Sequence, residues 1–150
     1  MDTVTELRLL LKDIDIPDIE QWETYVANGG YRAAETALRN HTPEEVLDIV
    51  DRSGLQDRGG SWYNLASRWK RHVDHKVDYL CVGGNESEPG TFRDRKLLER
   101  NPHQIIEGII IAAYALRAST VFVHIRNDMG RGAKLLDEAL KAARAQGWMS

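Results

Sequence analysis

A single cysteine, Cys81, stands in 150 residues. No intrachain disulfide can form, and no zinc or iron–sulfur site can be held by cysteines of this chain alone. An excess of positive charge is also missing. Lys and Arg number 20 against 23 Asp and Glu, for a net charge of −3, so the balance does not suit a polyanion such as nucleic acid. Long hydrophobic runs are absent too. The longest apolar stretch, 105–118, contains Glu107 and Arg117 and is too short to cross a bilayer. The first residues, with Asp2 and Glu6, do not read as a signal peptide. What is present, 42% hydrophobic and 29% charged residues, excludes disorder and coiled coil and suffices for one continuous core. The expectation is a cytoplasmic domain without nucleic-acid binding or direct membrane insertion.

Residues 1–30 combine a short apolar run (Leu7, Leu9, Leu10, Leu11) with Asp-Ile-Asp-Ile-Pro at 13–17. They read as an extended arm closing in a turn, then a brief helix around Trp22 to Ala27 that Asn28-Gly29-Gly30 stops. An Ala-rich helix is predicted over 31–39. Thr42 (N-cap), Pro43 (first helical position) and Glu45 (capping box) open the next helix, with Val46, Leu47, Ile49 and Val50 inward and Gly54 as its stop.

Beyond residue 78 the period changes. Tyr79 to Val82 is a continuous apolar run ending in Gly83-Gly84, and Thr120 to Ile125 is β-branched and aromatic. Both read as strands buried on two faces. Asn101-Pro102 opens an apolar helix to Leu116 between them, and Gly130 opens a helix to Gln146 after them. Such an order closes as a right-handed parallel crossover, with ligands beyond the carboxyl ends of the strands. The fold class is therefore α/β: a partial Rossmann-like parallel βαβα unit preceded by a helical N-terminal region. The expected division is 1–52 (arm and helices) and 53–150 (the α/β part), packed as one structural unit. Two parallel strands make a poor sheet. Either residues 1–12 add a strand or another polypeptide completes it, so association with itself or a partner through the open sheet edge is expected.

Three segments could carry chemistry. Gly-Leu-Gln-Asp-Arg-Gly-Gly at 54–60 could cradle a phosphate with backbone N–H groups and Arg58, or be a plain glycine-rich connection. Gly83 to Gly90, with Glu86 and Glu88, suits hydroxyls or a ring N–H edge, or is an acidic surface turn. His72 and His75 lie among Arg68, Lys70, Arg71 and Lys76; a solvated basic face explains them better than a metal, for which no third ligand is identifiable. Cys81 and His124 read as core residues of their strands.

S-G-L-Q-D-R-G-G-S-W-Y-N-L-A-S-R-W at 53–69 resembles the S-G-L-R-G-R-G-G-A-G-F-P-T-G-L-K-W stretch of the flavin-binding subunit of NADH:quinone oxidoreductase, respiratory complex I. Its relatives in NAD-linked hydrogenases and formate dehydrogenases share that stretch. N-E-S-E-P-G-T-F-R-D-R at 85–95 resembles the family's D-E-S-E-P-G-T-F-K-D-R, and N-G-G-Y at 28–31 and the helix from Pro102 match in order and spacing.

The resemblance implies FMN held by the glycine loop and the acidic loop, with NAD(H) stacked on the flavin. Arg58, Gly59 and Gly60 would face the flavin nucleotide, with Arg68 in place of the motif's lysine. Gly83, Asn85, Glu86, Ser87 and Glu88 would line the flavin and nicotinamide side, and Tyr63 would stack on the NADH. The partners implied are the other components of an NADH-oxidising multi-subunit complex, peripheral on the inner face of a membrane. The departures cut the other way. Asp57 replaces a glycine near the phosphate path, Trp62, Asn64 and Ala66 replace glycine, proline and glycine, and Gly83 and Asn85 replace an asparagine and an aspartate. Weak or absent FMN affinity follows, with Asp57 and Trp62 as its main causes within this part of the site, and no iron–sulfur ligands are expected. A short relative retaining part of an FMN/NADH site is one reading. A non-catalytic accessory or assembly protein that kept the scaffold and lost the cofactor is the other.

Overall fold

The computed structural model describes residues 8–56, 62–73 and 77–149. Among the described residues, seven helices and two strands follow in the order α1 (Trp22–Ala27), α2 (Arg32–Asn40), α3 (Pro43–Arg52), α4 (Leu65–Val73), β1 (Tyr79–Gly84), α5 (Arg93–Arg100), α6 (Pro102–Leu116), β2 (Thr120–Ile125) and α7 (Gly130–Ala145). No helix among the described residues is long and apolar enough to cross a membrane.

The local signals at α3 and α6 operate as their chemistry demands. Thr42 and Glu45 form a reciprocal capping box at α3, Gly54 leaves that helix at φ +67°, and the Asn101 side chain accepts from Gln104 N at the start of α6. The strands pair in parallel, Tyr79 opposite Thr120 through Gly84 opposite Ile125, with α5 and α6 between them in sequence. The connection thus holds two helices, not the single one expected.

Four expectations are corrected. Residues 9–20 form successive turns and no strand or extended arm, while residues 1–7 of the expected arm lie outside the described residues; Ile16 N donates to Asp13 O at 3.0 Å and Gln21 N to Asp18 O at 3.0 Å, which brings Ile14 and Ile19 into the core. Both strands are covered on one face only, with exposed and half-buried residues alternating. Helices pack beneath Leu80, Val82, Val123 and Ile125, whereas Tyr79, Cys81, Phe122 and His124 face outward. The unbroken apolar runs that suggest burial on both faces thus meet only one layer here, and neither Cys81 nor His124 is a core residue. On α3, Val46 and Leu47 are buried but Ile49 is exposed, because none of the described elements covers its arc of the helix.

One core joins the N-terminal helices to the α/β part. Ile19, Tyr25, Tyr31 and Ala34 pack with Leu98, Ile106, Ile110, Met129 and Leu136. A buried carboxylate fastens the two. Glu107 on α6, 8% exposed, accepts from Tyr25 Oη at 2.6 Å, Tyr31 N at 2.9 Å, Ala33 N at 3.0 Å and Ala34 N at 3.1 Å. It thereby caps α2, which lacks a capping side chain of its own. Tyr31 enters α2 at φ +61°, a costly conformation for an aromatic residue. Its ring is fixed between Trp22 at 4.8 Å and Trp148 at 5.1 Å, and its hydroxyl lies 2.8 Å from His103 Nδ1.

These groups set a pH window. Burial holds His103 below its ordinary value near 6.5 and pushes the Tyr25 and Tyr31 hydroxyls up. Below about pH 6.5 the unfolded chain takes up a proton that folded His103 refuses, so stability falls as pH falls. Above about pH 10 the unfolded chain releases tyrosine protons that the folded chain retains, so stability falls as pH rises. Urea midpoints measured from pH 5 to 11 should decline at both ends. His103→Gln should flatten the slope between pH 5 and 6.5; an unchanged slope there would refute the assignment to His103.

Candidate functional site

The carboxyl ends of β1 and β2 open into two loops, 85–92 and 126–129, and these are tied together. Arg126 follows the last residue of β2, and its backbone N–H donates to Gly84 O at 3.4 Å. Its guanidinium donates to Glu86 O at 2.6 Å and forks onto Asp128 at 2.6 and 2.7 Å. That fork holds the Asp128 carboxyl below the usual carboxylate range and raises the arginine.

Glu86 is buried at φ +41°. Its carboxylate accepts from Asp94 N at 2.8 Å and Arg95 N at 3.4 Å, so it caps α5, whose own N-cap residue, Phe92, supplies no capping side chain. The turn beyond is closed by Thr91, whose N–H and hydroxyl both donate to Glu88 O, at 3.3 and 2.7 Å, with Gly90 at φ +81°. Ser87 and Glu88 stand exposed between these fixed ends. Asn85 Oδ1 meets His124 Nδ1 across the exposed end of the sheet, and Gly83 lies opposite His124 in the ladder. The structure therefore brings together Gly83, Asn85, Glu86, Ser87 and Glu88, and adds His124, Arg126 and Asp128. An Arg-x-Asp directly after a strand was the available sequence signal for the last two.

Tyr63 and Arg68 sit elsewhere. Tyr63 is exposed just before α4 and Arg68 is exposed on α4, which packs on α3 and α6. Gln56 and Asn64 bridge antiparallel, and Leu65 N donates to Leu55 O at 2.9 Å, closing the base of the segment between them. Within that segment Asp57, Arg58, Gly59 and Gly60 lie outside the described residues, as does His75. Trp62 adopts φ +54°, the left-handed region that glycine enters without cost. The sequence thus keeps a backbone shape suited to the glycine of the complex I motif while placing an indole on it.

Residues 50–150 match the family model described as the Nuo51 FMN-binding domain. The chain belongs to this family. An NADH-quinone oxidoreductase subunit of Rhizobium meliloti is 39% identical over 143 residues, covering 94% of this chain and 34% of the relative. The corresponding NADH-quinone oxidoreductase subunit of Aquifex aeolicus is 40% identical over 146 residues, covering 97% and 34%. The chain therefore spans about a third of the length of these curated relatives. Among solved structures, NAD+-reducing [NiFe]-hydrogenase in its H2-reduced state superposes with a TM-score of 0.73 at 28% identity, over 93% of this chain and 22% of the hydrogenase chain. The likeness bears out the partial Rossmann-like α/β fold with its small parallel sheet, and with it the relation to FMN and to NAD-linked oxidoreductases.

Proposed function

We propose that this chain supplies one part of an FMN site for NADH oxidation within a multi-subunit complex, with the loops after β1 and β2 as the floor of that site. The observation that carries the reading is the acidic turn 85–92. Glu86 and Arg126 anchor one end, Thr91 closes the other, and Ser87 and Glu88 remain exposed to meet hydroxyls or a ring N–H edge. Asn85, held by His124, and Gly83 border the flavin on the sheet side. Arg58, Gly59 and Gly60 hold the nucleotide phosphate, Arg68 takes the place of the motif's lysine, and Tyr63 stacks on NAD(H). Glu86 serves through its backbone, since its carboxylate is spent on α5. Residues 1–52 act as a scaffold and 53–150 carry the site. Companion subunits cover the exposed sheet face and hold the chain at the inner face of a membrane.

Affinity for FMN should be weak. Asp57 sets a carboxylate near a dianionic phosphate, which costs on the order of 1–4 kcal/mol, roughly ten- to a thousand-fold in affinity. Trp62 fills space that glycine leaves open. Titration of FMN by fluorescence quenching should give weak saturable binding that tightens at least about ten-fold in Asp57→Gly/Trp62→Gly. No quenching at millimolar FMN in either protein would favour the second reading, a cofactor-free accessory protein. The indole on a left-handed backbone at Trp62 is the observation on that side.

A further inference from the structure

A second concave site lies beside the loops just described and shares Phe92 with the first of them. Phe92, Arg95, Lys96, Glu99, Arg100 and Arg131 line a cavity of about 280 Å³ between α5 and the first turn of α7. Four of the six are cations and one is an anion, a local surplus of three positive charges in a chain whose net charge is −3. Close helix packing forces them together. A Cβ added to Gly132 would lie 2.9 Å from Leu98 Cβ, so α5 and α7 touch almost backbone to backbone there, and Arg131 is carried against the cationic row of α5.

Like charges crowded on two helices repel one another; Glu99 in the lining, Asp128 beside Arg95, and Asp15, Asp18 and Glu20, which line a neighbouring cleft with Arg100, offset this in part. Arg95 meets Asp128 at 3.6 Å, while Lys96, Arg100 and Arg131 form no ion pair among the described residues. Such an arrangement raises the local potential and concentrates anions. Guanidinium forks and an ammonium converging on one small cavity match the several acceptor oxygens of a phosphate group. Phe92, 68% exposed at the rim, offers a ring face to a planar group on the same ligand.

We propose that this cavity binds a phosphate monoester carrying a planar ring, with Arg95, Lys96, Arg100 and Arg131 around the phosphate and Phe92 against the ring. The cavity adjoins the proposed flavin site but is distinct from it: of its lining only Phe92 belongs to a loop of that site, and Arg95 reaches the other loop through Asp128.

The test is calorimetric titration of the whole chain with AMP, inorganic phosphate, adenosine and poly-L-glutamate in 0.15 M salt, where weak non-specific attraction is screened to about 8 Å. AMP should bind saturably at one site, more tightly than inorganic phosphate, and adenosine should not bind. Arg131→Glu should weaken AMP at least about ten-fold, and Lys96→Ala should act in the same direction. A glutamate in the first turn of α7 suits the helix dipole, so Arg131→Glu should remain folded. FMN shares the phosphate and planar ring that the cavity reads, so the two sites are separated by variant: Arg131→Glu should weaken AMP, whereas Asp57→Gly/Trp62→Gly, which alters the flavin site alone, should leave AMP affinity unchanged. Absence of saturable AMP binding, or equal AMP affinity in Arg131→Glu, would overturn the proposal. Tighter binding of poly-L-glutamate than of AMP would also overturn it, in favour of a surface for an acidic protein segment.

Discussion

Glu107→Ala should lower the unfolding free energy by about 3–5 kcal/mol, because several buried neutral donors are left without an acceptor. Four donors lose their acceptor at once: Tyr25 Oη and the backbone N–H groups of Tyr31, Ala33 and Ala34. Each buried donor left unmade costs about 1–3 kcal/mol, and water entering the gap recovers part of the sum. The loss should fall on the attachment of α1 and α2 to α6, since Glu107 is their shared polar anchor. Glu107→Gln keeps the volume and one acceptor oxygen but turns an N–H₂ toward donors, so it should lose about half as much. Urea unfolding followed by tryptophan fluorescence reports the change directly, because Trp22 and Trp148 flank Tyr31. A loss below about 1 kcal/mol for Glu107→Ala would mean that water replaces the carboxylate without strain.

Gly30→Ala should cost about 3 kcal/mol, at the upper end of overpacking. The added Cβ would lie 2.0 Å from Tyr25 Cδ1 and 2.2 Å from Cε1, well inside contact distance. Tyr25 has nowhere to retreat. Its hydroxyl is held by Glu107 at 2.6 Å, and its ring stacks on His103 at 5.4 Å and meets Tyr31 edge-on at 5.4 Å. Gly29→Ala is the informative neighbour. Gly29 sits at φ +91° with only the Arg32 side chain within 4 Å of an added Cβ, so its cost should be the backbone term alone, about 1–2 kcal/mol. Thermal unfolding of the two variants should rank Gly30→Ala well below Gly29→Ala. The reverse order would show that the Tyr25 ring gives way.

The adjacent glycines thus have different reasons to be glycine, and only one of those reasons was legible in the sequence. Local rules worked where the signal and its target are neighbours in the chain. Thr42 with Glu45 and Asn101 with Pro102 marked the starts of α3 and α6 because capping acts within four residues. The strands at 79–84 and 120–125 were legible from composition, and their parallel pairing from the helix between them. Signals failed where the partner is distant. The segment of α5 carries charges and only Leu97 and Leu98 as an apolar pair, and its capping carboxylate, Glu86, lies eight residues before Asp94. No N-cap pattern could announce that helix. For α4, the basic residues from Arg68 to His72 obscured a helix whose inner side rests on α3 and α6.

The candidate site shows the same division. Residues 83–88 were legible from the motif, together with their place beyond a strand. That Glu86 turns its carboxylate into α5 and leaves Ser87 and Glu88 to face outward is a tertiary outcome, fixed by φ +41° at Glu86 and by Arg126 on its carbonyl. His124 illustrates the opposite error. Alternation with Phe122 in an apolar run suggested the core, yet both lie on the uncovered face of the sheet, where the histidine reaches Asn85.

The most direct test of the flavin reading is where FMN touches the chain. In a ¹⁵N-labelled sample titrated with FMN, the account predicts amide shifts concentrated in 54–64, 83–91 and 126–129, with Ser87 and Glu88 among the largest. Shifts centred on α1 or α2, or none at saturating flavin, would contradict it.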